Sequence, residues 1–237
     1  LRQAIVKKLK EDNGLDYTVN EVTTAVGAKQ AIASAMMVIA GPGDEVLLPI
    51  PCWVSYTEMI RLAGATPVFV PVRQDNYELD LDAIRAAITP RTKAIVICTP
   101  NNPTGAVYSE ESLRELADLA VKHDFFIVAD EIYEKMVYDG AKHFSVASIS
   151  REVWERTITV NGFSKAYAMT GWRIGYAAVR ADVIKGIMAV QSQTTSATSA
   201  ISQKAALAAL QGSQHDMQVM VESSSGEKIM WCSGSMP

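Results

Sequence analysis

Short apolar runs rich in β-branched residues alternate with helical patterns along most of this chain, and this alternation restricts the fold more than any other feature. Strand-like runs lie at 22–26, 44–50, 66–72, 93–98, 125–129, 157–160 and 174–179. Helical periodicity is present between them, at 31–39, 54–62, 81–88, 109–124 and, as one long helix, 181–210. Apolar strands separated by helices form a mostly parallel sheet covered on both faces. The sequence therefore predicts an α/β fold, a three-layer sandwich with a mostly parallel central sheet and helices on both faces.

Composition and charge exclude several classes of protein. The 237 residues are 49% hydrophobic and 20% charged, with a net charge of −4 and no basic cluster, which disfavours a nucleic-acid partner. No apolar run reaches the roughly 18–20 residues of a membrane-spanning helix, so no membrane partner is predicted. Cys52, Cys98 and Cys232 are far apart and the histidines show no ligand spacing, so no metal site is predicted. Three thiols without a pairing pattern indicate a cytoplasmic location.

Both ends of the chain lead to the prediction that it is a fragment. Leu1 lies inside a predicted amphipathic helix, and no initiator methionine precedes it. After Glu222 the apolar periodicity stops, and the run Ser223–Lys228 has neither a helical nor a strand period. We therefore predict one folded domain at residues 1–221 and an irregular, non-native tail at 222–237.

Polar side chains follow several of the predicted strands at the point where each strand ends. Asn102 follows the strand that ends at Cys98, Asp130 and Tyr133 follow the strand that ends at Ala129, and Lys165 follows the strand that ends at Val160. In an open parallel sheet, ligands bind at the carboxyl ends of the strands. We therefore expect these side chains to meet in one crevice.

The residue types at these strand ends are those that pyridoxal phosphate needs. Lys165 lies in a turn of small residues between apolar runs, where a desolvated amine can condense with an aldehyde and later move a proton. Asp130 can pair with the pyridine nitrogen, which strengthens the ring as an electron sink. Tyr133 and Asn102 can hydrogen-bond the phenolic oxygen of the cofactor, and Arg173 can bind its phosphate through two parallel hydrogen bonds.

Two further segments extend this predicted cofactor site. Gly27–Gln30 lies between a predicted strand and a predicted helix, so the backbone amides of Ala28 and Lys29 can bind the phosphate at the helix N-terminus. Trp53 follows the strand at 44–50 and can stack on the pyridine ring.

Each candidate also has a purely structural interpretation. An aromatic side chain such as Trp53 usually packs in a core, and short glycine turns before helices are common. Asp130 could cap the next segment, Arg173 could pair with a surface carboxylate, and Pro100–Gly105 could be a rigid turn. These interpretations must all hold together, whereas one cofactor accounts for every position.

The chain closely resembles the class I aminotransferases of pyridoxal-phosphate fold type I, nearest to the bacterial aspartate aminotransferases. The motifs that carry the resemblance occur in the family's order: Gly27–Gln30, Gly41–Asp44, Trp53–Tyr56, Pro100–Gly105, Asp130–Tyr133 and Ser164–Gly175. The resemblance extends from Leu1 to about Val221. It implies that residues 1–221 are the cofactor-binding large domain of a homodimeric enzyme, without the N-terminal arm and the C-terminal small domain.

The resemblance also implies a role for each candidate. Lys165 would be the Schiff-base lysine, and Trp53 and Asn102 would lie beside the substrate. The other cofactor contacts would come from Ala28, Lys29, Asn102, Asp130, Tyr133, Ser164 and Arg173. Gly162 departs from the phosphate-binding serine of many relatives, so that contact is lost or comes from Ser164 or Asn161.

The implied reaction is transfer of an amino group from an amino acid, aspartate or glutamate, to a 2-oxo acid. Two alternatives stay open at this point. One is a β-eliminating lyase on the same scaffold, because groups outside the cofactor site determine the reaction type. The other is an inactive truncated remnant that binds the cofactor without turning over substrate.

Overall fold

The fold is built on one seven-stranded sheet, seen in a computed structural model that describes the backbone of residues 1–232 and the side chains of residues 1–223. The strands are β1 Val22–Ala25, β2 Glu45–Ile50, β3 Thr66–Pro71, β4 Thr92–Cys98, β5 Phe126–Asp130, β6 Thr157–Gly162 and β7 Gly175–Ala178. Their order across the sheet is β1-β7-β6-β5-β4-β2-β3. Strands β2 to β6 pair in parallel, while β7 is antiparallel to both of its neighbours. The predicted mostly parallel sheet is confirmed.

Helices cover both faces of this sheet, as predicted. Their bounds are α1 Arg2–Asn13, α2 Ala28–Ile39, α3 Ser55–Leu62, α4 Leu81–Ala87, α5 Glu110–His123, α6 Arg151–Arg156, α7 Ala181–Thr194, α8 Ala200–Gln211 and α9 His215–Cys232. On one face, α2, α3 and α7 pack their apolar side chains against the strands. On the other face, α4 and α5 cover β4 and β5, while α1 and α8 cover β7. Burying both faces explains why the central strands are apolar throughout.

The single long helix predicted at 181–210 is wrong, because the structure has two helices, α7 and α8, with a break at 195–199. Ser196 in this break has a left-handed backbone with φ of 60°. The segment is rich in hydroxyl side chains, and Thr194 Oγ1 donates to the carbonyl oxygen of Val190 at 3.0 Å. Side chains of this type bond to nearby backbone groups and compete with the helical pattern, which favours a helix end.

Helix α9 also differs from expectation. The sequence predicts irregular chain from residue 222, whereas α9 extends to Cys232. Glu, Lys and Met are good helix formers, so a helical backbone can continue without the apolar stripe on which the prediction relied. Residues 233–237 lie outside the described part of the chain, and the domain boundary at 221 stays a prediction.

Within residues 1–232, no helix combines the length and the apolar character that a membrane crossing requires.

Three glycines, Gly27, Gly162 and Gly175, bring the first turn of α2 against the end of the sheet. A Cβ atom on Gly175 would lie 2.6 Å from the backbone nitrogen of Ala28, and one on Gly162 would lie 2.9 Å from Cα of Gly175. Only residues without a side chain permit backbones to approach this closely. The N-terminus of α2 is thereby fixed beside the end of β6 and the start of β7, at the edge of the sheet where β4 and β5 also end.

Candidate active site

One cavity of about 180 Å³ lies at this edge of the sheet. All of the residues assigned to the cofactor site from the sequence line it, apart from Asn161, which was an alternative to Ser164. Three residues without an assigned role, Tyr56, Ile132 and Thr170, line it as well. The full lining is Ala28, Lys29, Trp53, Tyr56, Asn102, Asp130, Ile132, Tyr133, Ser164, Lys165, Thr170 and Arg173. The convergence expected from the strand ends is therefore present in the fold.

Lys165 projects into the cavity from a tightly closed loop between β6 and β7. The amide of Phe163 donates to the carbonyl of Ile174 at 3.2 Å, and the amide of Met169 donates to the carbonyl of Phe163 at 3.1 Å. These bonds close the base of the loop and fix where the lysine side chain begins. Its Nζ lies 5.2 Å from the centre of the Tyr133 ring, so the amine and the phenol share one wall of the cavity.

Asp130, the last residue of β5, is almost fully buried, with 3% of its surface exposed. Tyr56 donates its hydroxyl to Oδ2 at 2.6 Å, and the amide of Ile132 donates to Oδ1 at 3.2 Å. Burial raises the pKa of Asp130 to about 6, although these two hydrogen bonds act to lower it. A cation that enters the cavity would stabilise the ionised form of this buried carboxylate.

Tyr56 has the most direct contact with Asp130, and the sequence analysis gave it no role. It occurs in the motif Trp53–Tyr56, so Tyr56 lies in the first turn of α3 and Trp53 lies just before this helix. The two rings meet edge to face with their centres 5.3 Å apart. The spacing of two aromatic residues after a strand end was the available signal, but the contact itself depends on how α3 packs against β5.

An anion site lies at the opposite side of the cavity. Gly27 caps α2 with φ of 83° and has no side chain to bond the first amides of the helix, which remain available to a ligand. A Cβ atom at Gly27 would lie 2.5 Å from Nη2 of Arg173, so this glycine leaves room for the guanidinium. Arg173 Nη1 in turn donates to the carbonyl of Thr170 at 2.8 Å. A guanidinium beside a helix N-terminus is suited to a phosphate.

The missing serine at position 162 has a steric explanation. A Cβ atom there would lie 3.0 Å from the carbonyl oxygen of Ile174 in addition to its contact with Gly175. Asn161 is buried outside the cavity, with its Oδ1 accepting from the amide of Gly162 at 2.7 Å. Of the two replacements considered from the sequence, only Ser164 lines the cavity.

The remaining wall combines aromatic and amide groups. The ammonium of Lys29 lies 4.7 Å from the centre of the Trp53 ring, so the Lys29 side chain reaches the cavity as well as its backbone. Asn102 Nδ2 donates to the hydroxyl of Tyr133 at 3.4 Å. Both groups can therefore face one ligand atom, as the sequence predicts for the phenolic oxygen of the cofactor.

These donor groups fit pyridoxal phosphate. The buried carboxylate of Asp130 suits a protonated ring nitrogen, the amine of Lys165 suits an aldehyde, and Arg173 with the α2 N-terminus suits a phosphate. The fit rests on the charges of these groups and on the space available to Arg173. Because Gly27 has no side chain, the Arg173 guanidinium can lie beside the N-terminus of α2.

A mostly parallel seven-stranded sheet with these groups at one edge is the architecture of the fold type I aminotransferases. The chain belongs to this group, since residues 1–228 match the family Aminotransferase class I and II. It is 47% identical over 221 residues to an aspartate aminotransferase of Bacillus sp. (strain YM-2), covering 93% of this chain and 56% of that protein. It is 49% identical over 211 residues to an aspartate/prephenate aminotransferase of Thermus thermophilus, covering 89% of this chain and 54% of that protein.

Solved structures lead to the same family. An aspartate aminotransferase from Thermus thermophilus with maleate superposes with a TM-score of 0.89 at 48% identity, covering 94% of this chain and 57% of that one. An aromatic aminotransferase from Pyrococcus horikoshii OT3 superposes with a TM-score of 0.93 at 38% identity, covering 97% and 63%. This chain therefore spans little more than half the length of the relatives it matches.

Proposed function

We propose that this chain is the cofactor-binding large domain of a pyridoxal-phosphate-dependent aminotransferase. The observation that carries the proposal is the arrangement of Lys165, Asp130 and Arg173 around one cavity, with the N-terminus of α2 at its phosphate side. An amine, a buried carboxylate and an anion site are together what this cofactor requires. Residues 1–221 form the proposed domain.

Pyridoxal phosphate, when bound, supplies an aldehyde that condenses with amines and a ring that accepts an electron pair. Lys165 would provide the amine that holds the cofactor and, as a free amine, would accept and donate the proton that moves during amino transfer. The position of Lys165 next to the Tyr133 ring keeps this amine inside the cavity.

Asp130 holds a proton at the ring nitrogen of the cofactor by supplying the negative charge opposite to it. Its burial excludes water from this contact, which strengthens the attraction between the two charges. Tyr133 and Asn102 orient the ring through its phenolic oxygen. Arg173, Ser164 and the amides of Ala28 and Lys29 would hold the phosphate, and Trp53 would pack against the ring.

The proposed substrates are an amino acid, aspartate or glutamate, and a 2-oxo acid. Two observations support dicarboxylates. The Bacillus relative is an aspartate aminotransferase and the Thermus relative is an aspartate/prephenate aminotransferase. One structure of a Thermus aspartate aminotransferase contains maleate, a four-carbon dicarboxylate. Trp53 and Asn102 are the residues that we expect beside the substrate. A homodimer and a cytoplasmic location stay predictions.

The cofactor site is tested by adding pyridoxal phosphate to the purified protein, reducing with borohydride and mapping the modified peptide by mass spectrometry. We expect a visible absorption band and one reduced adduct, on Lys165. Lys165→Ala should lose both. Because Lys29 also lines the cavity, an adduct on Lys29 in place of Lys165 would contradict the assignment.

The reaction type is tested with the cofactor-loaded protein and two substrates. Aspartate with 2-oxoglutarate should yield glutamate and oxaloacetate if the protein transfers amino groups. Release of pyruvate and ammonia from β-chloroalanine, without amino transfer, would identify a β-eliminating lyase. Cofactor binding without either reaction would identify the inactive remnant.

A further inference from the structure

A buried polar network lies behind the cavity and is not explained by the proposed cofactor contacts. Its centre is Glu131, which directly follows Asp130 and has 1% of its surface exposed. Oε2 of Glu131 accepts a hydrogen bond from Ser145 Oγ at 2.7 Å and lies 3.2 Å from Nε2 of His143. None of these three side chains lines the cavity. A buried carboxylate with such specific partners needs an explanation of its own.

Helix α1 supplies the second half of this network. Lys8 forms an ion pair with Glu134, and only 11% and 7% of the two side chains are exposed. Asn13 Nδ2 donates at 2.8 Å both to Glu134 Oε2 and to Ser145 Oγ. Through these contacts, α1 and the segment around Ser145 are joined to the turn that follows β5.

The charges within the network determine the protonation state of His143. Lys8 already neutralises Glu134, so His143 is the cation that directly contacts Glu131. Burial lowers the pKa of His143, but the hydrogen bond to Glu131 and the charges of Glu131 and Glu134 raise it by more, while Lys8 opposes them. His143 in its protonated form therefore balances the Glu131 carboxylate.

The other titratable groups near the network are either neutral or lie at its rim. Burial raises the pKa of Tyr17 and of Tyr176, so both phenols near Glu131 stay uncharged at neutral pH. At the rim, Lys135 donates to Asp12 at 2.8 Å, which pairs these two charges with each other.

A bound metal ion would be a second explanation, because ligand atoms of Glu131, Glu134 and His143 lie within 4.8 Å of one another. The protein's own groups fill that role here. The Lys8 ammonium and the Asn13 amide bind Glu134, and the Ser145 hydroxyl and the His143 ring bind Glu131. Both carboxylates are thus already paired with donors from the chain.

The turn at 130–134 connects this network to the cavity. Asp130 and Tyr133, which line the cavity, flank Glu131 in the chain, and the amide of Glu134 donates to the carbonyl of Glu131 at 2.9 Å. We propose that Glu131 and His143 are positioning residues for Asp130, and that the protonated His143 is required for this function. The inference rests on the proposed function, since it concerns how firmly the chain holds its cofactor.

The physical effect is electrostatic as well as geometric. When His143 loses its proton, Glu131 becomes a buried charge without a counter-charge, and such a charge is strongly destabilising. The Glu131 charge also raises the pKa of Asp130, because the two carboxylates are neighbours. Loss of the His143 proton should therefore disturb the turn and weaken the ionised form of Asp130, on which binding of the ring nitrogen depends.

The test is to measure the dissociation constant of pyridoxal phosphate between pH 6 and 9 for the wild-type protein, His143→Gln and Glu131→Gln. We expect His143→Gln to weaken binding about tenfold at pH 6.5, where wild-type His143 is protonated, and hardly at all at pH 9. Glu131→Gln keeps the shape of the side chain but removes the charge. At pH 6.5 it should bind within about threefold of wild type, and between pH 6 and 9 it should lack the pH-dependent step assigned to His143.

Glu45→Gln is the matched control. Glu45 is also a buried carboxylate, hydrogen-bonded to Thr89 and Arg91, but it lies at the first residue of β2, away from the cavity. The Glu45→Gln substitution should lower the melting temperature without changing cofactor affinity.

NMR titration of His143 in the wild type and in Glu131→Gln gives a readout without cofactor, and the pKa of His143 should fall in the variant. This titration decides the question if His143→Gln does not fold.

The outcomes separate the two proposals. A wild-type protein that folds but does not bind pyridoxal phosphate would overturn the proposed function and this inference together. Normal binding by the wild type, with a His143→Gln to wild-type ratio that stays constant across the pH range, would overturn the inference alone. An unchanged His143 titration in Glu131→Gln would do the same.

Discussion

The hydroxyl of Tyr56 donates a 2.6 Å hydrogen bond to Oδ2 of Asp130, and both groups are buried at the inner end of the cavity. Burial and the Asp130 charge raise the pKa of Tyr56 well above its ordinary value, so the phenol remains a donor. Its hydrogen bond stabilises the ionised carboxylate and counteracts part of the effect of burial. Tyr56 therefore helps to set how readily Asp130 carries the negative charge that the proposed cofactor needs.

Tyr56→Phe should weaken binding of pyridoxal phosphate. A hydrogen bond to a charged group contributes about 1.5–3 kcal/mol, so its loss should raise the pKa of Asp130 by about one unit or more. Asp130 is then at least half protonated at pH 7, and we expect a dissociation constant about two- to tenfold higher at that pH. Spectroscopic titration of cofactor against the wild type and the variant measures this difference.

The matching control is the same substitution in an Asp130→Asn background. The amide that this background places at position 130 cannot ionise, so removal of the phenol should change cofactor affinity much less there than in the wild type. Equal effects in both backgrounds would show that Tyr56 acts through packing against Trp53 rather than through the charge of Asp130.

Asp130 should also make the stability of the cofactor-free protein depend on pH. Its pKa is 3.8 in an ordinary setting and about 6 in the fold, so the folded state holds this proton more tightly than the unfolded state. The contribution of Asp130 to the free energy of unfolding should therefore fall by about 2 kcal/mol as the pH rises from 4 to 6.5. Below both pKa values the group is protonated in both states and favours neither.

Urea unfolding of the wild type and Asp130→Asn across this pH range measures the effect. Other carboxylates also make the stability depend on pH, because their pKa values differ between the folded and unfolded states; Lys8, for example, lowers the pKa of Glu134. The difference between the two proteins cancels those contributions. Asp130→Asn should gain stability relative to the wild type as the pH rises, and two parallel curves would contradict the raised pKa.

The sequence predicts the parallel sheet and the cavity at its edge for a simple reason. In a parallel sheet the carboxyl ends of neighbouring strands lie together, so Asn102, Asp130 and Lys165 can be placed in one site without knowledge of the packing. The chemical types of these residues then indicate the cofactor. Both steps depend only on local patterns and on one rule of topology.

Features that depend on tertiary packing could not be predicted in this way. The bond between Tyr56 and Asp130 joins residues 74 positions apart in the chain, and the one between Asn13 and Glu134 joins residues 121 apart. His143 has no ligand spacing in the sequence, and its role depends on the fold bringing it to Glu131. The break at Ser196 was missed because apolar periodicity continues on both sides of it.

Gly27→Ala should weaken cofactor binding as well as stability. The new Cβ would lie 2.5 Å from Nη2 of Arg173, and φ of 83° is unfavourable for any residue with a side chain. We expect a loss of about 1–3 kcal/mol in the free energy of unfolding, and displacement of the guanidinium from the anion site. Because the guanidinium no longer lies at the anion site, the variant should bind phosphate more weakly. A higher concentration of inorganic phosphate should then be needed to displace a coloured anionic probe.

Gly43→Ala separates strain from displacement of Arg173. Gly43 has φ of 94°, but a Cβ there would meet no atom within 4 Å. It should lose stability to a similar extent and retain wild-type affinity for pyridoxal phosphate. If both variants bind the cofactor equally well, the close approach of Gly27 to Arg173 has no role in the anion site.

Gly162→Ser tests whether the missing serine could simply be restored. Its Cβ would lie 2.9 Å from Cα of Gly175 and 3.0 Å from the carbonyl oxygen of Ile174, and backbone atoms cannot move aside as a flexible side chain can. We expect the substitution to cost about 1–3 kcal/mol of stability and to bring no gain in phosphate affinity. Gly171→Ser is the control, because a Cβ at Gly171 meets no atom within 4 Å and should be tolerated. Thermal unfolding and cofactor titration of both variants measure these two effects. A stable Gly162→Ser protein with tighter cofactor binding would show that β6 and β7 can separate enough to accept a side chain at this position.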